Sequence, residues 1–199
     1  MWGDLSNIIV IPNPRPFEPS DFADLSQRRV LAVGRLDYQK GFDRLIDIWA
    51  RVQRRQGWTL DIVGDGPLRD QLSEMIKKLG LTESIRLIGA VSDIRPYYLR
   101  SSIVAMTSRY EGLPMVLLEA QAFGLPMVAF ACHCGPRDVI TDGTDGFLIP
   151  ESDETLFAER LVQLMASENL RFSMGSQARK ASERFSEERI MQQWEGVLR

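Results

Sequence analysis

Six short apolar runs recur along the chain, and helical periodicity fills most of the gaps between them. Val30–Val33, Thr59–Val63, Ile85–Ile88, Ile103–Met106, Met127–Phe130 and Gly146–Ile149 are four or five residues each, dominated by aliphatic side chains. Runs this short and mostly apolar read as strands, and the uninterrupted Val30–Val33 reads as a buried one. After the first, Asp43–Arg55 carries Leu45, Ile48, Trp49 and Val52 at helical spacing. Pro67–Leu79 opens with proline in its first turn and stops at Gly80, and Pro114–Phe123 stops at Gly124. Asp93–Arg100 is a shorter helix and Arg137–Ile140 a helical turn. Strands that alternate with helices imply βαβ units, an α/β fold, and a parallel sheet with helices on both faces.

The two ends depart from this rhythm. Glu154–Ser167, Asn169–Arg184 and Glu187–Leu198 are consecutive helical patterns, expected on an edge or end of the sheet. At the start, Ile8–Ile11 reads as a short β run, followed by four prolines in the eight residues Pro12–Pro19. Such a stretch is neither helix nor central strand. Residues 1–20 therefore read as a linker, and 21–199 as one domain.

Composition narrows the function classes. With 199 residues and a net charge of −3, the chain is long enough for a sizeable core and too acidic for a nucleic-acid coat. Arg51, Arg54, Arg55, Lys77 and Lys78 fall on helical patterns and read as solvated faces. No run of about 18 apolar residues exists to span a membrane, and Met1–Asn7 lacks the basic start and long apolar core expected of a signal peptide. The two cysteines, Cys132 and Cys134, flank the one histidine, His133. That set falls short of a zinc site, so reduced, structural or site-lining thiols are expected, with the cytoplasm as compartment.

Ligands of open parallel sheets bind beyond the carboxyl ends of the strands. The loops there carry Gly34-Arg35 through Lys40-Gly41, then Gly64-Asp65-Gly66-Pro67, Gly89-Ala90-Val91, Thr107 through Pro114, and Ala131 through Gly135. Glycines permit close backbone approach, Arg35 and Lys40 supply positive charge, and the helix opened by Pro114 offers free amides. A pyrophosphate would use all of them. The plainer alternative pairs Arg35 with Asp37, Asp65 or Glu111. Neither the dinucleotide fingerprint nor a P-loop is present, and no D-x-D pair follows a strand to carry a metal.

Four motifs stand in order: G-R-L-x-x-x-K-G from Gly34, G-D-G-P from Gly64, S-R-Y-E-G-L-P-M-V-L-L-E-A-x-A-x-G-L-P from Ser108, and G-P-x-D-V-I-x-D-G-x-D-G-F-L-I from Gly135. Together they resemble the retaining GT-B glycosyltransferases of the glycosyl-group-1 type, family 4. The likeness covers about Ile8 to Phe185 and matches only the C-terminal, donor-binding half of such an enzyme. It implies a Rossmann-like doubly wound sheet, a nucleotide-diphosphate-sugar donor (UDP- or GDP-linked), and no cofactor or metal. It further implies a saccharide or lipid-linked acceptor, held largely by an N-terminal domain.

By this resemblance Glu111, the catalytic carboxylate of this half, contacts hydroxyls of the donor sugar. Glu119, eight residues on, contacts the ribose. Arg35 and Lys40 grip the diphosphate beside Gly34 and Gly64. Gly112, Leu113, Met115 and Val116 present amides, and Val91 falls near the base. His133 lines the loop, since the family places no base there. The segment Ala129–Ile140 resembles members that build bacterial surface polysaccharides or lipid-linked oligosaccharides, a class compatible with peripheral membrane docking. Two rivals remain: a freestanding nucleotide-sugar-binding module or partner subunit, and another GT-B enzyme such as an epimerase or phosphorylase.

Overall fold

The computed structural model describes residues 9–18, 21–52 and 57–198. Six parallel strands form one sheet: β1 (Arg29–Val33), β2 (Thr59–Val63), β3 (Ile85–Gly89), β4 (Ile103–Met106), β5 (Met127–Phe130) and β6 (Gly146–Ile149), in the order β3-β2-β1-β4-β5-β6. The chain moves outward from β1 to β3, then returns to lay β4 against the other side of β1. That reversal opens a crevice between the loops after β1 and β4, the place where such sheets bind ligands.

Each strand feeds two cores through its alternating side chains. Val30, Ala32, Leu60, Ile62, Ile103, Ala105, Val128 and Phe130 face one layer. There they meet α1 (Phe42–Arg51), α2 (Arg69–Lys78) and α6 (Glu154–Ala166), with Trp49 fully buried. Leu31, Val63, Val104, Met106, Met127 and Ala129 face the other. That layer holds α3 (Arg95–Leu99), α4 (Met115–Ala122) and part of α7 (Glu168–Ser182). The short helix α5 (Pro136–Val139) and the last helix α8 (Glu187–Leu198) complete the fold. One carboxylate lies inside the sheet. Asp61 on β2 accepts from Arg86 at 2.7 and 2.9 Å, which compensates its burial.

The doubly wound α/β fold matches the expectation, and four local expectations do not. Helix α1 ends at Arg51 because Val52 turns extended (ψ 101°); residues 53–55 of the expected helix lie outside the described residues. Pro67 belongs to a turn closed by the Arg69 amide on the Gly66 carbonyl at 3.1 Å, so α2 starts later. Ile9–Ile11 is not a strand, and Ile8 is outside the described residues. A β-prone run needs a ladder partner, and this one borders the Gly112 turn and Gln193 of α8 instead. The tail helices do not gather at one edge. Helix α6 lies in the layer of α1, through Phe157, Leu161 and Leu164, while α7 reaches the α4 side through Ala178.

The proline-rich segment expected to be a linker is anchored to this frame. The buried Arg15 guanidinium donates to Ser182 Oγ at 2.8 Å and to Glu183 at 3.2 Å, and its backbone amide donates to the Phe185 carbonyl. Of the cations read as solvated, Arg51 is half exposed and pairs with Glu154, and Lys78 pairs with Glu74 one turn away. Arg54 and Arg55 lie outside the described residues.

Two glycines let the first two loops touch. A Cβ on Gly64 (φ +141°) would stand 1.9 Å from the Gly34 carbonyl oxygen. Gly64→Ala is therefore expected to destabilise the fold by roughly 2–3 kcal/mol. Urea unfolding checks this, and an unchanged midpoint would contradict the close contact.

Candidate functional site

The rim of the sheet is assembled from the β1 and β4 loops. Asp37 accepts the Lys40 amide at 3.2 Å and curls the first loop. The Lys40 stem then crosses Gly34, where a Cβ would lie 3.1–3.4 Å from its carbons. This directs the ammonium onto Glu111 Oε1 at 2.7 Å, with the Glu111 side chain only 7% exposed. Arg35 differs: its side chain is 72% exposed, and Asp37 stands 3.8 Å away. So the two expected cations differ: the lysine is held on Glu111, and the exposed arginine pairs with Asp37, as the plainer alternative had it. The fixed lysine is held by the very carboxylate expected to contact the sugar.

Arg109 braces the second loop against the first. Its guanidinium forks onto Asp43 at 2.9 and 2.5 Å, donates to the Tyr38 carbonyl, and lies over the Tyr38 ring. Burial opposes the Asp43 charge, yet the Arg109 hydrogen bonds and charge hold that carboxyl below its ordinary range. Thr107 Oγ1 donates to the Gly41 carbonyl at 2.9 Å, adding a second tie. The β5 loop presses in from the far side. A Cβ on Gly135 would stand 2.2 Å from the Gly112 carbonyl oxygen, so the two backbones are in contact.

Helix α4 starts on this platform. No side chain caps Pro114, and no acid occupies the first turn. The first amides of a helix have no intrahelical acceptor, so they face the rim with the positive end of the dipole. Leu113, Met115 and Val116 are half-buried against the α3–α4 core, which anchors the turn by side chains and leaves its backbone available. Val91 packs on the same core from the β3 loop.

Glu119 lies one turn into α4, about 6 Å along the axis from Met115. Its Oε2 accepts a 2.5 Å hydrogen bond from the hydroxyl of Tyr98, which is fully buried on α3. Burial raises the Glu119 carboxyl, and the Tyr98 donation partly offsets that. Burial, and secondarily the Glu119 charge, push the Tyr98 phenol well up, so it remains a donor.

Sequence reasoning did not find Tyr98 or the Arg109–Asp43 brace. The available signal was a tyrosine within a short buried helix, whose hydroxyl requires a partner that sequence does not name. Cys132 and Cys134 are both free. Burial, with Glu111 and Glu151 nearby, raises the Cys132 thiol to about 11, so it stays protonated. Cys134 and His133 are exposed, and His133 bridges to Tyr110 beside the rim. Among the described residues no three His, Cys, Asp or Glu side chains converge as a metal site, and no helix is long and apolar enough to cross a membrane.

Comparison with known proteins finds this chain similar to glycosyltransferases. The family described as glycosyl transferases group 1 matches residues 17–181. The amylovoran biosynthesis glycosyltransferase AmsD of Erwinia amylovora is 45% identical over 98% of this chain and 56% of its own length. A Campylobacter jejuni α-1,4-N-acetyl-D-galactosaminyltransferase, named for an undecaprenol-linked saccharide, is 27% identical over 96% of this chain and 54% of its own. Among solved structures, Staphylococcus aureus TarM, in a complex that includes UDP, superposes with a TM-score of 0.83 at 28% identity, over 96% of this chain and 38% of its own. Anabaena HepE with UDP gives 0.80 at 28% identity, over 86% and 48%. The chain thus spans about half the length of the curated relatives it matches.

The raised Glu119 carboxyl makes stability depend on pH. Between the ordinary carboxyl value of 4.5 and the higher folded value, the native state holds the proton that the unfolded state has lost. This contribution is therefore complete in acid and fades as pH rises. Glu119→Gln removes it, so its unfolding midpoint relative to wild type should climb as pH is raised from the ordinary carboxyl value of 4.5 through the higher folded value. Thermal melts across that range check this, and a constant difference would contradict the buried carboxylate.

Proposed function

The chain belongs to the glycosyl transferases group 1 family, and from that premise we propose that it is the donor-binding half of a retaining GT-B glycosyltransferase of family 4. The donor is a nucleotide-diphosphate sugar, with UDP favoured by the UDP complexes of TarM and HepE. The acceptor is a saccharide or lipid-linked saccharide of bacterial surface glycan synthesis, as the names of the AmsD and Campylobacter relatives suggest.

The observation that carries this reading is the convergence of Lys40, Glu111 and the uncapped start of α4 at one crevice. Lys40 and the α4 amides hold the diphosphate, and Arg35 swings in from the surface. On donor binding the Lys40 ammonium is shared between Glu111 and phosphate, and Glu111 turns its remaining lone pairs to sugar hydroxyls. Glu119 accepts from the ribose. In transfer the anomeric carbon–oxygen bond to the β-phosphate breaks, and the acceptor oxygen bonds the same face of that carbon. The acceptor proton passes to the departing phosphate. Lys40, Arg35 and the helix dipole stabilise the phosphate charge without a metal ion. Residues 1–20 act as the interdomain linker, and the groove of about 620 Å³ beside Gly112 and Leu113, bordered by Pro12 and Asn13, opens toward the remainder of the enzyme. The isolated chain binds donor without efficient transfer.

Calorimetry with UDP and GDP, first without metal and then with magnesium, tests this. UDP should bind without metal, and Glu119→Ala should weaken it about tenfold or more. Binding of neither nucleotide, or binding only with magnesium, would overturn the reading.

A further inference from the structure

Tyr98 has no role in the chemistry described so far, yet it makes the shortest side-chain contact to Glu119. The two residues come from different helices, 21 positions apart, and meet at 2.5 Å. The Tyr98 ring is fully buried and stacks on Phe123, the residue that closes α4, at 5.2 Å between centroids and 11° between planes. Phe123 in turn contacts Phe17 of the linker segment at 5.3 Å. The phenol is thus clamped by packing before it touches the carboxylate, and a clamped donor fixes the rotation of its acceptor.

We propose that Tyr98 is the positioning residue that sets Glu119 for recognition of a ribose 2′,3′-diol and so enforces ribonucleotide over deoxyribonucleotide donors. This rests on the donor-site reading. A carboxylate has about four acceptor positions on two oxygens. Tyr98 occupies one position on Oε2, which orients the plane and leaves Oε1 and the second Oε2 position for two adjacent hydroxyls. Without the phenol, the carboxylate is free to rotate and to protonate. Burial and Tyr98 are the influences on the Glu119 carboxyl, and Glu119 is the charged group acting on Tyr98. Loss of the phenol leaves burial unopposed, so the carboxyl rises further.

The test uses Tyr98→Phe, which keeps the ring and its stack on Phe123. Carbon-13 titration of the unliganded protein should show the Glu119 carboxyl protonating at higher pH in the variant. Wild type should bind UDP about tenfold better than 2′-deoxy-UDP, and the variant by no more than about threefold. The acid limb of UDP affinity should also move to higher pH in the variant. In a Glu119→Gln background, Tyr98→Phe should change the UDP to deoxy-UDP ratio by less than about twofold. An unchanged titration and an unchanged ratio, in a variant that melts cooperatively, would overturn the proposal and leave Tyr98 a packing residue. If wild type binds no UDP, the donor reading falls and the nucleotide preference with it. If wild type binds UDP and only the variant comparison fails, the positioning role alone falls.

Discussion

The ion pair between Lys40 and Glu111 joins the loop after β1 to the turn before α4, and the geometry of the rim depends on it. The two residues are 71 positions apart and stand 2.7 Å from each other. What makes the pair reachable is backbone, not charge. Gly34 lets the lysine stem cross the loop, Gly64 lets the β2 loop press against Gly34, and Gly135 lets the β5 loop press against Gly112. Arg109 then locks the same two loops from outside by its fork onto Asp43. A ligand entering this crevice meets a lysine already aimed inward and, at its edge, an exposed arginine paired with Asp37.

The arrangement places cost and benefit at the same residues. Glu119 is half-buried beside a phenol, with burial pushing its carboxyl up. A neutral side chain would suit the empty protein better. A carboxylate suits a ligand rich in hydroxyls, because each hydroxyl donates a charge-assisted hydrogen bond. Pre-positioning by Tyr98 and by the packed Leu113, Met115 and Val116 reduces the ordering that binding would otherwise require.

Much of the fold was legible in the chain. The six strands were visible because each is a short, mostly aliphatic run, interrupted only by Asp61 in β2 and Arg86 in β3, and β4 and β5 are buried at every position. The rim was legible because glycines, cations and acids fall directly after those strands, and the order of four motifs named the family. Partner choice was not legible. Arg35 and Lys40 both lie within three residues of Asp37, yet only the lysine reaches Glu111. Helix α4 is apolar on most sides, burying Leu117, Leu118, Ala120, Gln121 and Ala122, so periodicity does not say which helix will face Glu119. The tail was misjudged because a strandless run of helices looks like an appendage. In the fold, α6 follows β6 and covers the sheet through Phe157, Leu161 and Leu164. Ile9–Ile11 shows the converse, since β propensity without a ladder partner leaves extended chain.

The most direct test of the donor crevice is to follow backbone amides by nitrogen-15 NMR while UDP-glucose is added. The account predicts that shifts concentrate at Gly34, Arg35, Lys40, Glu111 through Leu113, Met115, Val116 and Glu119, with smaller changes at Val91. Shifts concentrated instead at the β3 edge around Arg69, Lys77 and Leu87, or absent from the α4 turn, would contradict it.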